Sequence, residues 1–383
     1  MIRIIDFRLI IEKRDTHEKY YPKVVSFNTV EDYPLSGPPS ATISVFSPAN
    51  INNIATVSQI EFDDIIRLQV SERYHSLESY VWEDIFEGRV ENQSKKFSTN
   101  NEIEISCKGH IVEAVTAMFL ADKTYTNQDA ATILNDVVST RLSRIQYNSS
   151  YVQTGLTVEE YNVVAKQNFV IDAFEEMETV SGSKNIIGVK PVYNSSGSLL
   201  TCYLTWKPLS TTPTARYSVI EGTPRLISAT FDIVGEDVFT FQYVKGGTDD
   251  SGNQYVGSQG YTNSEYGARY KINTFTWVES SALCAAIAGG LLSDSKEPYV
   301  AGQVVLEGTP AAKLGDLVTV SIPSLEVKGA QIDGTYTVYR VSHALSPEGY
   351  RTTLDLGRIK KNEWDYIAQN LTRIAKIAYK NQA

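Results

Sequence analysis

Hydrophobic and polar residues alternate along two long parts of the chain, and this alternation predicts short β-strands. In residues 66–70, apolar positions alternate with Arg67 and Gln69, which is typical of a strand with one buried face. Further strands are predicted over 40–46, 80–93 and 102–107, and the loops between them are rich in proline. Several short strands at this spacing indicate a barrel or a sandwich.

Between residues 111 and 182 the apolar spacing changes to that of helices. Residues 130–142 follow the i, i+3, i+4, i+7 pattern, which predicts an amphipathic helix. Thr126 with Asp129 and Thr157 with Glu160 resemble capping boxes, so we expect helices to begin there. A further helix is predicted over 169–180.

Strands return after residue 185. The turn at 194–197 separates two alternating runs, which predicts a β-hairpin. A second strand series follows over 227–356. Residues 246–268 are rich in Gly, Ser and Asn and are expected to form a long loop. Residues 280–293 are predicted as a small apolar helix.

The two strand series resemble each other in order, which indicates an internal duplication. Gly88 and Gly334 each begin an alternating strand, and the closing glycines, Gly109 and Gly357, follow at similar distances. Each unit is preceded by another alternating strand. Any two antiparallel hairpins share some of these features, so the alternative of unrelated hairpins stays open at this point.

These patterns predict a mainly β protein with an α+β insertion. Its fold is expected to contain two related, tube-like antiparallel β-barrels with a helical and β-hairpin domain between them. The predicted parts are a first β-barrel (1–110), the insertion domain (111–215), a second β-barrel (216–358) with the long loop 246–268, and a C-terminal helix (359–383).

The charge balance narrows the range of partners. A net charge of −10 argues against specific nucleic-acid binding, which needs a basic face. If the chain lines a channel, we expect its excess acids to face the lumen, because a basic wall would trap a phosphate backbone. The first 15 residues interrupt their apolar stretch with charges, so neither a signal peptide nor a membrane span is expected.

Little in the sequence points to catalysis, and we predict that the chain is not an enzyme. His343 is expected to be a structural barrel residue. The pairs Glu159–Glu160 and Glu175–Glu176 are neighbours on predicted helices, so their carboxylates would not converge on a substrate. Cys107, Cys202 and Cys284 show no metal-ligand spacing and are predicted to be buried free thiols. No metal or other cofactor is expected.

The C-terminal helix is the main candidate binding surface. Its apolar stripe has a 3-4-3-4 spacing, which is typical of self-association or of packing on a partner. Packing on its own barrel is the alternative. The stripe is formed by Trp364, Ile367, Leu371, Ile374 and Ala378. The candidate basic contact residues around it are Arg358, Lys360, Lys361, Arg373, Lys376 and Lys380.

One family resemblance covers most of the chain and has its most specific motifs between about residue 260 and residue 358. The motifs are Tyr266–Arg269, the apolar helix near Ala286, Leu314–Asp316, Asp333–Tyr336, Val341–His343, Gly349–Thr352 and Leu354–Arg358. This part resembles the C-terminal half of baseplate hub (tail hub) proteins of contractile phage tails and related contractile injection systems. The helix 169–180 and the hairpin at 194–197 are similar to the inserted domain of that family.

The resemblance implies a structural role in the virion, at the tail baseplate, after synthesis in the host cytoplasm. A homotrimer would act as a symmetry adaptor that joins the tail tube to the central spike and lines the channel. Its expected partners are the tail tube protein or tube initiator, the spike protein and other baseplate proteins. Two alternatives remain: a tail-tip protein of a non-contractile tail, and a β-rich cell-surface carbohydrate-binding module or hydrolase.

Overall fold

Antiparallel strands dominate the chain in the computed structural model, which confirms the predicted mainly β fold class with an α+β insertion. The predicted C-terminal helix, 359–383, lies outside the described residues. The structure describes residues 3–32, 37–46, 60–74, 79–96, 102–180, 185–218, 226–234, 238–248, 251–261, 267–275, 278, 280–295, 299–322 and 334–357.

Seven strands form the first barrel. They are β1 (Ile4–Glu12), β2 (Lys19–Tyr20), β3 (Val24–Asp32), β4 (Ser40–Phe46), β5 (Ile65–Arg73), β6 (Glu83–Lys96) and β7 (Glu102–Gly109). Their spatial order is β3-β4-β7-β6-β5-β1-β2. The predicted alternation is visible in β7, where Ile103, Ile105 and Cys107 are buried and the residues between them are partly exposed.

The first barrel closes because its sheet curls back on itself. β1 and β3 stand at opposite ends of the six-strand run, yet the rings of Phe7 and Phe27 meet edge to face with centroids 5.4 Å apart. Ile11, Ile43 and Ile66 are fully buried in the same core. Each such side chain contributes about 1.5–3 kcal/mol through burial, so the core holds the strands in this curvature.

The insertion domain follows β7. It contains α1 (Val112–Thr116), β8 (Lys123–Asp129), α2 (Ala130–Arg141), β9 (Ile145–Gln146), a 3₁₀ turn (Ser149–Tyr151), β10 (Thr157–Val163), α3 (Val170–Val180), β11 (Asn185–Tyr193) and β12 (Leu199–Pro208). Helices α2 and α3 pack with β12 in one core, whose largest fully buried side chain is Trp206.

One predicted helix in this domain is wrong. The segment that begins at Thr157 is a strand, β10, which pairs antiparallel with β8. Val158 and Val163 are buried in the core of the domain, so pairing and burial override the local capping motif. Thr126 lies within β8, and the N-cap of α2 is Asp129 itself, whose carboxylate accepts from Ala131 N at 2.8 Å.

The described residues from 213 to 357 form the second barrel and a small sheet with a helix. Its elements are β13 (Pro213–Ser218), β14 (Leu226–Val234), β15 (Phe241–Thr248), β16 (Gln254–Gly260), β17 (Tyr270–Thr274), α4 (Ser281–Ser295), β18 (Tyr299–Glu307), β19 (Leu317–Ser321), β20 (Gly334–Ser346) and β21 (Gly349–Gly357).

Residues 246–268 are not one long loop as predicted, because they include strand β16. β16 pairs antiparallel with β15, and α4 packs against both. The glycines that suggested a loop instead permit close packing. A Cβ at Gly257 would lie 2.1 Å from Ala285 N, and one at Gly246 would lie 2.3 Å from Val278 O. Glycine is required there by the approach of a helix and of a neighbouring backbone.

The two barrels share one strand order, which confirms the predicted internal duplication. The predicted equivalence of Gly88 and Gly334 is wrong, because Gly88 lies two residues before the bulge of β6 at Val90, whereas Gly334 lies four residues before the bulge of β20 at Val338. The first barrel runs β3-β4-β7-β6-β5-β1, and the second runs β14-β18-β21-β20-β19-β13. Each strand has its counterpart at the same place in both space and sequence. The two barrels differ in direction where β13 pairs parallel with β19, whereas β1 pairs antiparallel with β5.

Candidate assembly surfaces

A hydrogen-bonded ladder between β3 and β20 joins the two barrels into one sheet. It runs from Arg340 opposite Asp32 to Leu345 opposite Phe27. The Arg340 guanidinium contacts the Asp32 carboxylate at 3.1 Å. Thr29 Oγ1 accepts from the backbone N–H of His343 at 3.3 Å, and both residues are buried. We call this ladder the internal junction.

A bulge gives β20 its two partners. Before the bulge, Gly334–Thr337 pair with β19 inside the second barrel. The register against β21 shifts between Val338 and Arg340, and from Arg340 onward the strand pairs with β3 of the first barrel. Because a bulge bends its strand and increases the twist, β20 is redirected from one barrel to the other at this point.

Strand β6, the counterpart of β20, is built in the same way but keeps one edge open. Its first part pairs with β5 as far as Arg89. The register against β7 shifts between Val90 and Asn92. Beyond the bulge, residues 92–96 pair with β7 alone among the described strands.

Strand β14, the counterpart of β3, is also open on one side. It pairs with β18 and with no other strand in the part of the chain that the structure describes. We call β14 and residues 92–96 the open edges. Unpaired N–H and C=O groups along a strand can pair with another strand. The open edges are therefore the candidate assembly surfaces.

Asp63 forms an ion pair that connects the insertion domain to the first barrel. Its carboxylate is 5% exposed and lies 2.7 Å from two guanidinium nitrogens of Arg144 in the insertion domain. It also lies 3.4 Å from Arg89 and 3.3 Å from Arg14. Asp63 has a positive φ of 73°, a conformation that Asp and Asn adopt more readily than most residues. Sequence reasoning did not identify this cluster, because its residues are scattered along the chain.

A second polar contact links strand β6 to the hairpin strand β11. Tyr193 donates its hydroxyl hydrogen to Glu87 at 2.5 Å, and the Arg67 guanidinium lies 3.3 Å from the same carboxylate oxygen. Arg67 also stacks over the Tyr193 ring at 3.8 Å. Burial, together with the nearby Asp84 carboxylate, raises the pKa of Glu87 to about 7. The Glu87 carboxylate is thus engaged in joining two domains.

His343 and the three cysteines have structural environments. His343 is buried, and its Nδ1 lies 3.1 Å from Thr352 Oγ1 and 3.0 Å from the Tyr350 hydroxyl, as expected for a structural residue. Burial lowers the pKa of His110 to about 3, so its ring is neutral near pH 7. The three cysteines are buried and free, as predicted.

The described residues contain no group of His, Cys, Asp and Glu side chains that could hold a metal ion. Glu175 and Glu176 are exposed on α3, as expected for a solvated helix face. Among the described residues, no helix is long and apolar enough to cross a membrane. The predicted terminal stripe and basic residues, from Arg358 onward, fall outside the described residues, so that candidate stays a prediction.

Comparisons with solved structures identify the fold. The chain is similar to the 43 kDa tail protein of prophage MuSo2 from Shewanella oneidensis, with a TM-score of 0.58, 13% identity, and coverage of 93% of this chain and 98% of that one. It is similar to the tail protein from Neisseria meningitidis MC58, with a TM-score of 0.58, 11% identity, and coverage of 94% and 99%. Prophage tail protein gp18 from Listeria monocytogenes EGD-e gives a TM-score of 0.53, 15% identity, and coverage of 96% and 99%.

No known family model matches the sequence. No curated protein matches it either. The chain therefore has the fold of phage tail proteins over nearly its whole length, at a level of identity that sequence comparison alone does not detect. The resemblance to baseplate hub proteins that the sequence motifs indicated is confirmed at the level of the fold.

Proposed function

We propose that this chain is the structural baseplate hub of a phage-type tail or a related contractile injection machine. In this role a homotrimer joins the tail tube to the central spike and lines the channel between them. Its neighbours are the tail tube protein or tube initiator, the spike protein and other baseplate proteins, and its location is the tail baseplate of the virion. The phage-tail fold and the hub-like sequence motifs support this proposal.

The duplicated barrel is the observation that carries the proposal. A tail tube consists of hexameric rings, whereas a puncturing spike is usually threefold. Because each chain has two barrels with one strand order, a ring of three chains presents six similar units to the tube. The remaining parts of the chain occur once per copy, so the ring keeps threefold symmetry towards the spike.

The proposed role is structural and needs no catalysis. The clustered acidic groups described above, Asp63 and Glu87, are occupied by arginines and a tyrosine that connect domains. The purified chain is expected to release no soluble sugar or peptide from peptidoglycan or polysaccharide. Turnover that disappears on replacing a single carboxylate would contradict this.

The oligomeric state tests the proposal most directly. Native mass spectrometry at micromolar concentration is expected to show three times the chain mass of 42.6 kDa. Electron microscopy of particles labelled through this protein should place the label at the tail tip beside the spike, and it also separates contractile from non-contractile tails. A monomer or dimer within the assembled particle would refute the hub proposal.

A further inference from the structure

We infer that a cavity between the two barrels and the insertion domain binds a small aliphatic ammonium ion through the Glu31 carboxylate and the His110 imidazole. The cavity has a volume of about 180 Å³, which is enough for several water molecules or for a small organic ion. Its wall includes parts of β3 and β6 from the first barrel, β11 from the insertion domain and β20 from the second barrel. A free amine is the source that we assign, because the described wall belongs to one chain. The site goes beyond the proposed hub role and does not depend on it.

The first step is that neighbouring strands bring Glu31 and His110 to the same end of the first barrel. The register of β3 against β4, continued by one residue, places Glu31 opposite Pro39. Gly109 donates its backbone N–H to Pro39 O at 2.7 Å, and His110 follows it directly. Two strand spacings therefore separate Glu31 from Gly109, which corresponds to roughly 10 Å between their backbones. Glu31 and His110 both line the cavity, so a small ion between them can contact both side chains.

Glu31 is a carboxyl group on the side of β3 that faces the core. Phe27 and Thr29 precede it on that side, and both are buried. The Glu31 side chain is exposed but opens onto the cavity, and desolvation by the surrounding protein raises its pKa. Lys313 acts on it electrostatically, but the Lys313 ammonium group donates to Asp84 O at 3.4 Å. A cation in the cavity would therefore stabilise the charged form of Glu31.

His110 gives a second, independent indication of a ligand. It is only 6% exposed, and within the described part of the chain neither ring nitrogen has a hydrogen-bond partner. Burial lowers the pKa of His110 to about 3, so the ring is neutral at pH 7 and one nitrogen is a hydrogen-bond acceptor. A buried acceptor without a donor costs free energy. An ammonium group that donates to His110 would remove this cost.

The charge and the polarity of the wall favour an ammonium ion over an anion. Lys313 is the only basic side chain among the described residues that line the cavity. Ile187, Val189 and Val341 add apolar surface, which suits a short hydrocarbon chain. An ammonium group donates up to three hydrogen bonds, and such bonds are strongest when the acceptor is a carboxylate. The carboxyl groups along the wall are those of Glu31, Asp32, Asp84 and Glu87.

Isothermal titration calorimetry with putrescine, an aliphatic diamine, tests the site in an amine-free buffer at pH 7. We expect one saturable site per chain. Glu31→Gln and His110→Phe should each weaken binding at least about tenfold, because each variant loses a hydrogen bond to a charged group. Glu348→Gln is the matched control, since it makes the same change at a side chain that is 73% exposed, and it should bind like wild type. Tetramethylammonium carries the same charge as an ammonium group but has no N–H donor, so it should not compete.

Thermal unfolding followed by circular dichroism gives a second readout and shows that each variant is folded. Putrescine should raise the unfolding midpoint of wild type and of Glu348→Gln, but not that of Glu31→Gln. Absence of saturable binding to wild type at millimolar putrescine would overturn the proposal. Equal affinity for Glu31→Gln and Glu348→Gln would also overturn it, because the amine would then bind elsewhere. If Glu31→Gln does not fold, the comparison of His110→Phe with Glu348→Gln decides in the same way.

Discussion

Replacing Asp63 by asparagine should destabilise the protein by removing the carboxylate that faces the buried Arg89 guanidinium. The Arg89 and Asp63 side chains are 9% and 5% exposed, and their charged groups lie 3.4 Å apart. Removing one partner of a buried ion pair costs about 3–5 kcal/mol, because the other charge stays buried without compensation. Asparagine also tolerates the positive φ at this position, so the change isolates the charge. We expect a loss of about 3 kcal/mol in the free energy of unfolding.

Arg144→Ala is the matched control, because it removes a different contact of the same carboxylate. Arg144 is 42% exposed, and partly exposed ion pairs contribute about 0–1 kcal/mol. In urea unfolding followed by circular dichroism at pH 7, the free energy of unfolding of Asp63→Asn should therefore be well below that of Arg144→Ala. In the Asp63→Asn background, Arg144→Ala should cost almost nothing further. If Asp63→Asn costs no more than Arg144→Ala in the wild-type background, the argument from buried charge is refuted.

Two further predictions concern Glu87 and Gly257. The pKa of Glu87 is raised from its ordinary 4.5 to about 7. The contribution of this carboxyl group to the free energy of unfolding is therefore complete below pH 4.5 and is lost as the pH rises through 7. Because glutamine does not ionise, the free energy of unfolding of Glu87→Gln should rise relative to that of wild type by on the order of 2 kcal/mol from about pH 5 to about pH 8. Parallel pH–stability curves would contradict this. Gly257→Ala should cost about 1–3 kcal/mol, because its Cβ would meet Ala285 N at 2.1 Å. In this variant, amide hydrogen exchange should become faster in β15, β16 and α4. An equal change across the whole chain would contradict the prediction.

Local patterns predicted the strands well wherever one face packs on a core. In β12, the second of the two alternating runs that predicted the hairpin, Cys202, Leu204 and Trp206 are buried on one face. Leu200 shares that face by parity but is 64% exposed. Alternation thus identifies the face that a strand turns to the core, but it does not indicate where along the strand the core ends.

Two errors share a physical cause, which is that tertiary contacts outweigh local signals. The Thr157–Glu160 motif satisfies two backbone donors at a helix start, whereas the ladder with β8 satisfies groups along the whole of β10. The glycines near Gly257 indicated a loop, but they allow a helix to approach a strand closely. A single sequence does not show which neighbour a glycine must admit.

The assembly surfaces and the Asp63 cluster could be identified only from the three-dimensional structure. The duplication predicted equivalent barrels, yet nothing local indicated that β3 would pair with β20 rather than with another strand. The Asp63 contacts join residues 14, 63, 89 and 144, whose order along the chain carries no periodicity. Both features depend on long-range geometry, which alternation and spacing do not encode.

The internal junction has a consequence for how the protein is made. Thr29 and His343, which meet in that ladder, are 314 residues apart in sequence. At about 5–20 residues per second on the ribosome, β3 must wait roughly 15–60 s for its partner to be synthesised. During that time β3 can pair with β4, but its other edge stays without its partner strand. The internal junction, and with it the sheet that spans both barrels, can therefore form only after β20 has left the ribosome.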